Sequence, residues 1–154
     1  MKLIKLIFAL FLAVGPGASG QADHLAVVVS PDVPLDNLSF YEIRQIFLGS
    51  RQFWAPNLRV TLLMQAPGTR EHEAALKYIY QMTEAQFRQY WISKVFRAEA
   101  SSGPKKVFSQ AIALEILTLI PGTVVLLDSS QVPKSLKILK INGILPGEQG
   151  YTLP

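Results

Sequence analysis

The chain has 154 residues, 49% of them hydrophobic and 17% charged, with a formal net charge of +4 and no cysteine. Absent cysteine excludes disulfides, thiolate zinc sites and cysteine nucleophiles. So small a positive balance leaves no basic footprint for nucleic acid.

Met1 to Gly20 reads as a secretory signal peptide: Lys2 and Lys5 make a basic head, Leu6 to Val14 an apolar run, and Gly15 to Gly20 a small-residue end. The run is too short to cross a bilayer core of about 30 Å as a helix, and its Gly/Pro cluster closes it, which disfavours the rival reading of an uncleaved anchor. Residues 21–154 are then expected to form one domain with a modest core, periplasmic or secreted, with no membrane insertion after signal removal. The segment carries two of the fifteen basic residues and none of the eleven acidic ones, so the remainder has a net charge of +2.

His24 to Ser30 is a short β-branched run ended by Pro31 and reads as a buried strand. Ser39-Phe40-Tyr41-Glu42 is a capping box that starts a helix with Ile43, Ile46 and Phe47 on one face and a stop at Gly49. Trp54 to Asn57 reads as a turn into a second strand, Leu58 to Met64. After the Pro67-Gly68 break, Thr69 caps a helix with Ala75, Tyr78, Ile79 and Met82 at helical spacing. Thr83 to Gln86 is a second capping box, opening a helix whose apolar face is Phe87, Tyr90, Trp91 and Val95.

Arg97 to Lys106 reads as a polar loop, with Pro104 in the first turn of a helix from Lys105 to about Leu119. The apolar stretch Val107 to Leu127 could pass for a membrane span. Glu115 and the Pro121-Gly122 pair instead divide it into a core helix, with Glu115 facing outward, and a strand from Thr123 to Leu127. A last strand, Ser135 to Ile141, follows an Asp-Ser-Ser turn, and an irregular tail punctuated by Gly and Pro is expected to lie on the domain. Strand, helix, strand, helices, strand, strand is an α/β order, with helices covering a small mixed sheet.

Specific residues go further than periodicity. Leu38-Ser39 through Ile46-Phe47-Leu48-Gly49, with Trp54 downstream, resembles the helix, turn and tryptophan of periplasmic phosphate-binding proteins, the substrate-binding components of phosphate ABC importers. Gly68-Thr69, Tyr90-Trp91, Pro121-Gly122 and the Lys137 to Gly143 segment, with Pro146 and Tyr151, keep the same order over nearly all of residues 21–154. The resemblance implies a periplasmic-binding-protein-like fold of type II, reduced to roughly the central and late part of the usual two-lobed protein. It also implies a non-enzymatic role in binding phosphate or another small oxyanion. The family's Ser-Gly-Thr turn is here Pro67-Gly68-Thr69, Leu63 stands where the family carries an arginine, and Ser30-Pro31-Asp32 replaces its early ligand segment.

Gly68, Thr69 and Arg70 combine unpaired helix-start N–H groups, a hydroxyl and a guanidinium, a set suited to a small oxyanion. The bland alternative makes Thr69 only a cap and Arg70 a surface charge. Ser101, Ser102 and Gly103, beside Lys105 and Lys106, offer a second cradle or a solvated loop; Ser30 and Ser102 are the residues expected to join the Gly68 site. His24 and His72 lack partners at metal-ligand spacing, and His72 reads as part of an exposed first turn. Trp54 and Trp91 read as core. No nucleophile elbow or paired-carboxylate arrangement appears, so neither catalysis nor a cofactor is expected. The alternative function is a scaffold without a ligand, contacting a protein partner in the cell envelope.

Overall fold

The computed structural model describes residues 24–154, so the signal-peptide reading and the boundary at residue 20 lie outside the described residues. In chain order the strands and helices are β1 (Leu25–Val29), β2 (Asn37–Leu38), α1 (Phe40–Phe47), β3 (Phe53–Ala55), β4 (Leu58–Arg59), β5 (Thr61–Gln65) and α2 (Arg70–Ala74), which continues as a π-helical segment (Ala75–Tyr80). Then come α3 (Glu84–Phe96), β6 (Lys105–Val107), α4 (Gln110–Leu119), β7 (Thr123–Asp128), β8 (Lys137–Ile138) and β9 (Lys140–Ile141).

Five strands form one sheet in the order β6-β5-β7-β1-β8. β5 is parallel to β6 and β7, whereas β1 runs antiparallel to both β7 and β8. The period-2 alternation of β1 divides the core. Leu25, Val27 and Val29 face a cluster built with α1, the π segment, Trp54 and Trp91, while Ala26 and Val28 face Ala113 and Leu117 of α4. A strand buried on both faces has no polar side to show, which is why β1 and β7 read as continuous apolar runs. Each fully buried Val or Leu contributes roughly 1.5–3 kcal/mol of transfer free energy.

Both capping boxes form. Ser39 N–H donates to Glu42 Oε2 at 2.8 Å and Thr83 N–H to Gln86 Oε1 at 2.9 Å, with the hydroxyls returning the bond at 3.2 Å in each case. Pro121-Gly122 is the joint between α4 and β7. Gly122 O accepts from Trp54 Nε1 at 2.8 Å and from Thr61 N–H at 2.9 Å. Gly122 has φ of +71°, and a Cβ there would stand 2.0 Å from the Arg59 carbonyl oxygen, so only glycine fits.

Several expectations change. Of the expected Trp54 to Asn57 turn only Pro56-Asn57 is a turn, since Trp54 and Ala55 belong to a strand, Phe53–Ala55, paired with Leu58–Arg59. Lys105–Val107 is not a helix start but an edge strand, because β5 offers it a parallel partner; the helix begins after Ser109, whose Oγ accepts from Ile112 N–H at 3.1 Å. The wider π winding brings Leu76 and Tyr80 into the core beside Ala75 and Ile79, leaving Tyr78 and Met82 only half-buried.

On α3 the buried positions are Trp91 and Lys94, and Val95 is exposed. The Lys94 ammonium stands 5.7 Å from the Tyr90 ring centroid and pairs with Glu99 at 3.6 Å. The expected last strand is divided at Leu139: β8 pairs with β1, and β9 leaves to pair with β2. Glu115 is exposed as expected, and no helix of the described residues is long and apolar enough to cross a membrane. The tail lies on the domain, with Leu25 N–H donating to Pro154 O at 2.8 Å and Tyr151 Oη to Leu25 O at 2.9 Å.

Candidate functional site

In an open sheet with parallel strands, ligands are usually met outside the carboxyl ends of those strands. Here that rim consists of the Pro67 to Arg70 turn after β5, Phe108-Ser109 after β6, and Asp128 to Ser130 after β7. Two helices, α2 and α4, start on it. Asp128 Oδ1 accepts from Ser130 N–H at 2.9 Å and from Ser130 Oγ at 2.8 Å, which closes the third turn.

Thr69 caps α2: its Oγ1 accepts from His72 N–H at 3.2 Å and donates to Ala66 O at 2.9 Å. First-turn N–H groups of a helix have no intrahelical acceptor, so those ahead of His72 are the natural anion donors. Pro67 adds none, having no N–H. Gly68 and Arg70 are exposed and Thr69 is half-buried; Glu71 and Glu73 place negative charge in the same first turn.

His72 departs from its expected exposure. It is 2% exposed, with Nδ1 2.8 Å from Gln65 O and Nε2 2.7 Å from Glu84 Oε2. One imidazole thus links the end of β5, the start of α2 and the start of α3, holding the Gly68 turn from beneath. The sequence hides this partner because Glu84 follows twelve residues later across a turn.

The sheet register separates the other two candidates from this turn. Ser30 N–H donates to Thr123 O at 2.9 Å, which places Ser30 beside the amino end of β7 and hence of β5. It is 1% exposed, its Oγ donating to Ile120 O at 2.9 Å and accepting from Thr123 N–H at 3.1 Å. Ser102 precedes β6 and lies at the same amino end, in a cavity of about 240 Å³. Gly68, Thr69 and Arg70 therefore stay together, and Ser30 and Ser102 do not join them. Ser109, Asp128 and Ser130 stand on the rim instead: Asp128 and Ser130 belong to the Asp-Ser-Ser turn that the sequence marks, and Ser109 is a serine ahead of an apolar periodic run.

No family model matches the sequence. Solved structures do. A phosphate ABC transporter substrate-binding protein from Clostridium perfringens, with bound phosphate, superposes with a TM-score of 0.64 at 12% identity, over 80% of this chain and 46% of that one. PstS from Borrelia burgdorferi gives 0.64 at 20% identity over 80% and 49%, and an ABC-type phosphate transport receptor from Vibrio cholerae 0.63 at 14% identity over 80% and 48%. The α/β fold implied by the sequence resemblance is thus the fold of this chain, which spans about half the length of the structures it matches.

Proposed function

We propose that this protein is an exported, non-enzymatic binding protein that takes a small oxyanion such as phosphate at the Gly68-Thr69-Arg70 turn. The observation that carries the reading is topological: a capped helix start stands at the carboxyl end of β5, in a fold shared with a phosphate ABC transporter substrate-binding protein with bound phosphate and with an ABC-type phosphate transport receptor. The N–H groups of that start, the positive end of the helix dipole and the Arg70 guanidinium supply donors and charge.

Calorimetry of the purified protein against phosphate and sulfate tests this. Saturable binding that is lost in Arg70→Ala and Thr69→Ala, and kept in Thr69→Ser, is the expected result. No binding of any oxyanion would refute it.

A second reading, an interaction module for an envelope protein, draws on two observations. The Thr69 hydroxyl already has partners on both its donor and acceptor sides, and Ile92, Val95 and Phe96 form an exposed apolar row on α3, Phe96 being 90% exposed. Silence toward oxyanions, together with capture of an envelope protein that Phe96→Asp abolishes, would favour this reading.

A further inference from the structure

We propose that the cavity at the amino end of β5 and β6, opposite the Gly68 turn, binds a compact polyanion carrying two or more phosphoryl or carboxyl groups. The proposal is independent of the reading given for that turn. Arg51, Arg59 and Lys105 line the cavity, and no carboxylate does. Of the cavity cations, Arg51 pairs with Glu42 at 3.7 Å, while Glu99 binds Arg97 at 2.8 Å and Lys94 at 3.6 Å, both outside the lining. Among the described residues Arg59 and Lys105 form no ion pair. Arg59 and Lys105, with Arg51 shared with Glu42, gather positive charge around one small space, and a guest with two or more anionic groups can meet several of these cations at once where a single group cannot.

The walls are fixed before any ligand arrives. Gly49, with φ of +70°, lies against Trp91 so closely that a Cβ would stand 2.8 Å from Trp91 Cη2; on the other side, a Cβ at Gly103 would be 3.4 Å from Trp91 Cγ. The indole is thus held between the end of α1 and the loop before β6. Gln52 ties the same two segments, its Nε2 donating to Gly49 O at 3.1 Å and Glu99 O at 2.8 Å while its Oε1 accepts from Arg59 Nη2 at 3.3 Å. The Trp91 and Gln52 wall is thus ordered without a guest, which lowers the cost of binding on that side. At about 240 Å³ the cavity is smaller than the usual 300–1,000 Å³ of drug-sized pockets, which selects a compact guest. Ser101 and Ser102 add hydroxyls at the rim.

Calorimetry with inorganic pyrophosphate and with citrate, each at constant ionic strength, tests the assignment. One site per chain is expected for at least one probe, weakening as salt rises and binding more tightly than inorganic phosphate does in the Arg70→Ala background. Lys105→Gln should weaken it about tenfold, the effect of losing one charge-assisted contact, Lys105→Glu should abolish it, and Arg70→Ala should leave it intact. Lys105 is exposed, so an unchanged melting curve confirms that these variants fold. Neither probe binding, binding unchanged in both Lys105→Gln and Arg59→Gln, or binding lost in Arg70→Ala but kept in Lys105→Gln would each overturn the proposal.

Discussion

The Gly68-Thr69-Arg70 turn and the Ser101 to Lys105 loop look alike as sequence: small and hydroxyl residues, a proline nearby, and a basic residue leading into a regular element. The fold makes them opposites. The first opens a helix at the carboxyl end of the parallel strands, with first-turn N–H groups that have no intrahelical acceptor and two glutamates beside it. The second enters an edge strand at the amino end, without a helix dipole, and faces two arginines brought from the segments around β3 and β4. A local motif supplies donors; the charge and shape around them come from strand order.

The largest expected effect tests the joint that fixes the amino end. Gly122→Ala forces a Cβ onto the Arg59 carbonyl at positive φ and should cost roughly 4 kcal/mol or prevent folding, as read by denaturant unfolding. Next is His72→Ala, which leaves Gln65 O without its side-chain partner and opens a cavity under the Gly68 turn. A loss of about 2–3 kcal/mol is expected. Oxyanion affinity should fall with it while the cavity beside Lys105 is unaffected, and equal losses at both ends would break the contrast between them.

Thr69→Ala removes a cap worth about 1 kcal/mol in thermal melts, and Thr69→Ser restores it. Lys105→Gln should change stability by less than about 0.5 kcal/mol, since an exposed side chain without an ion pair is lost.

The smallest effect concerns pH. Bonds from the Ser39 N–H and hydroxyl hold Glu42 below the usual glutamate range, so its contribution is present above that range and fades as pH falls through the lowered folded value. Glu42→Gln should therefore flatten the acid limb of stability against pH, measured by melting temperature. An unchanged slope would show that the capping box is not coupled to acid stability.

Much of the fold was legible because its signals are local. The two capping boxes, the β-branched run before Pro31, the Pro121-Gly122 joint and the outward Glu115 all obey rules that act within one turn or one strand. The resemblance in the Leu38 to Trp54 segment pointed to the fold that the solved structures share. Of the proposed oxyanion site, Gly68, Thr69 and Arg70 were legible as a helix start. Ser30 and Ser102 stand at the other end of the sheet, which the sequence did not reveal, since nothing local says which end of a sheet a residue occupies.

The residues by themselves determined the three helix starts at Ser39, Thr69 and Thr83, which strands are buried on both faces, and that Gly122 and Gly49 stand at turns, because backbone sterics, capping and apolar periodicity depend only on near neighbours. Tertiary structure alone decided that Lys105–Val107 joins β5 as an edge strand, that His72 meets Glu84, and that Arg51, Arg59 and Lys105 surround one cavity. Those outcomes depend on strand order and on contacts between distant segments, which the chain settles only when its whole core closes.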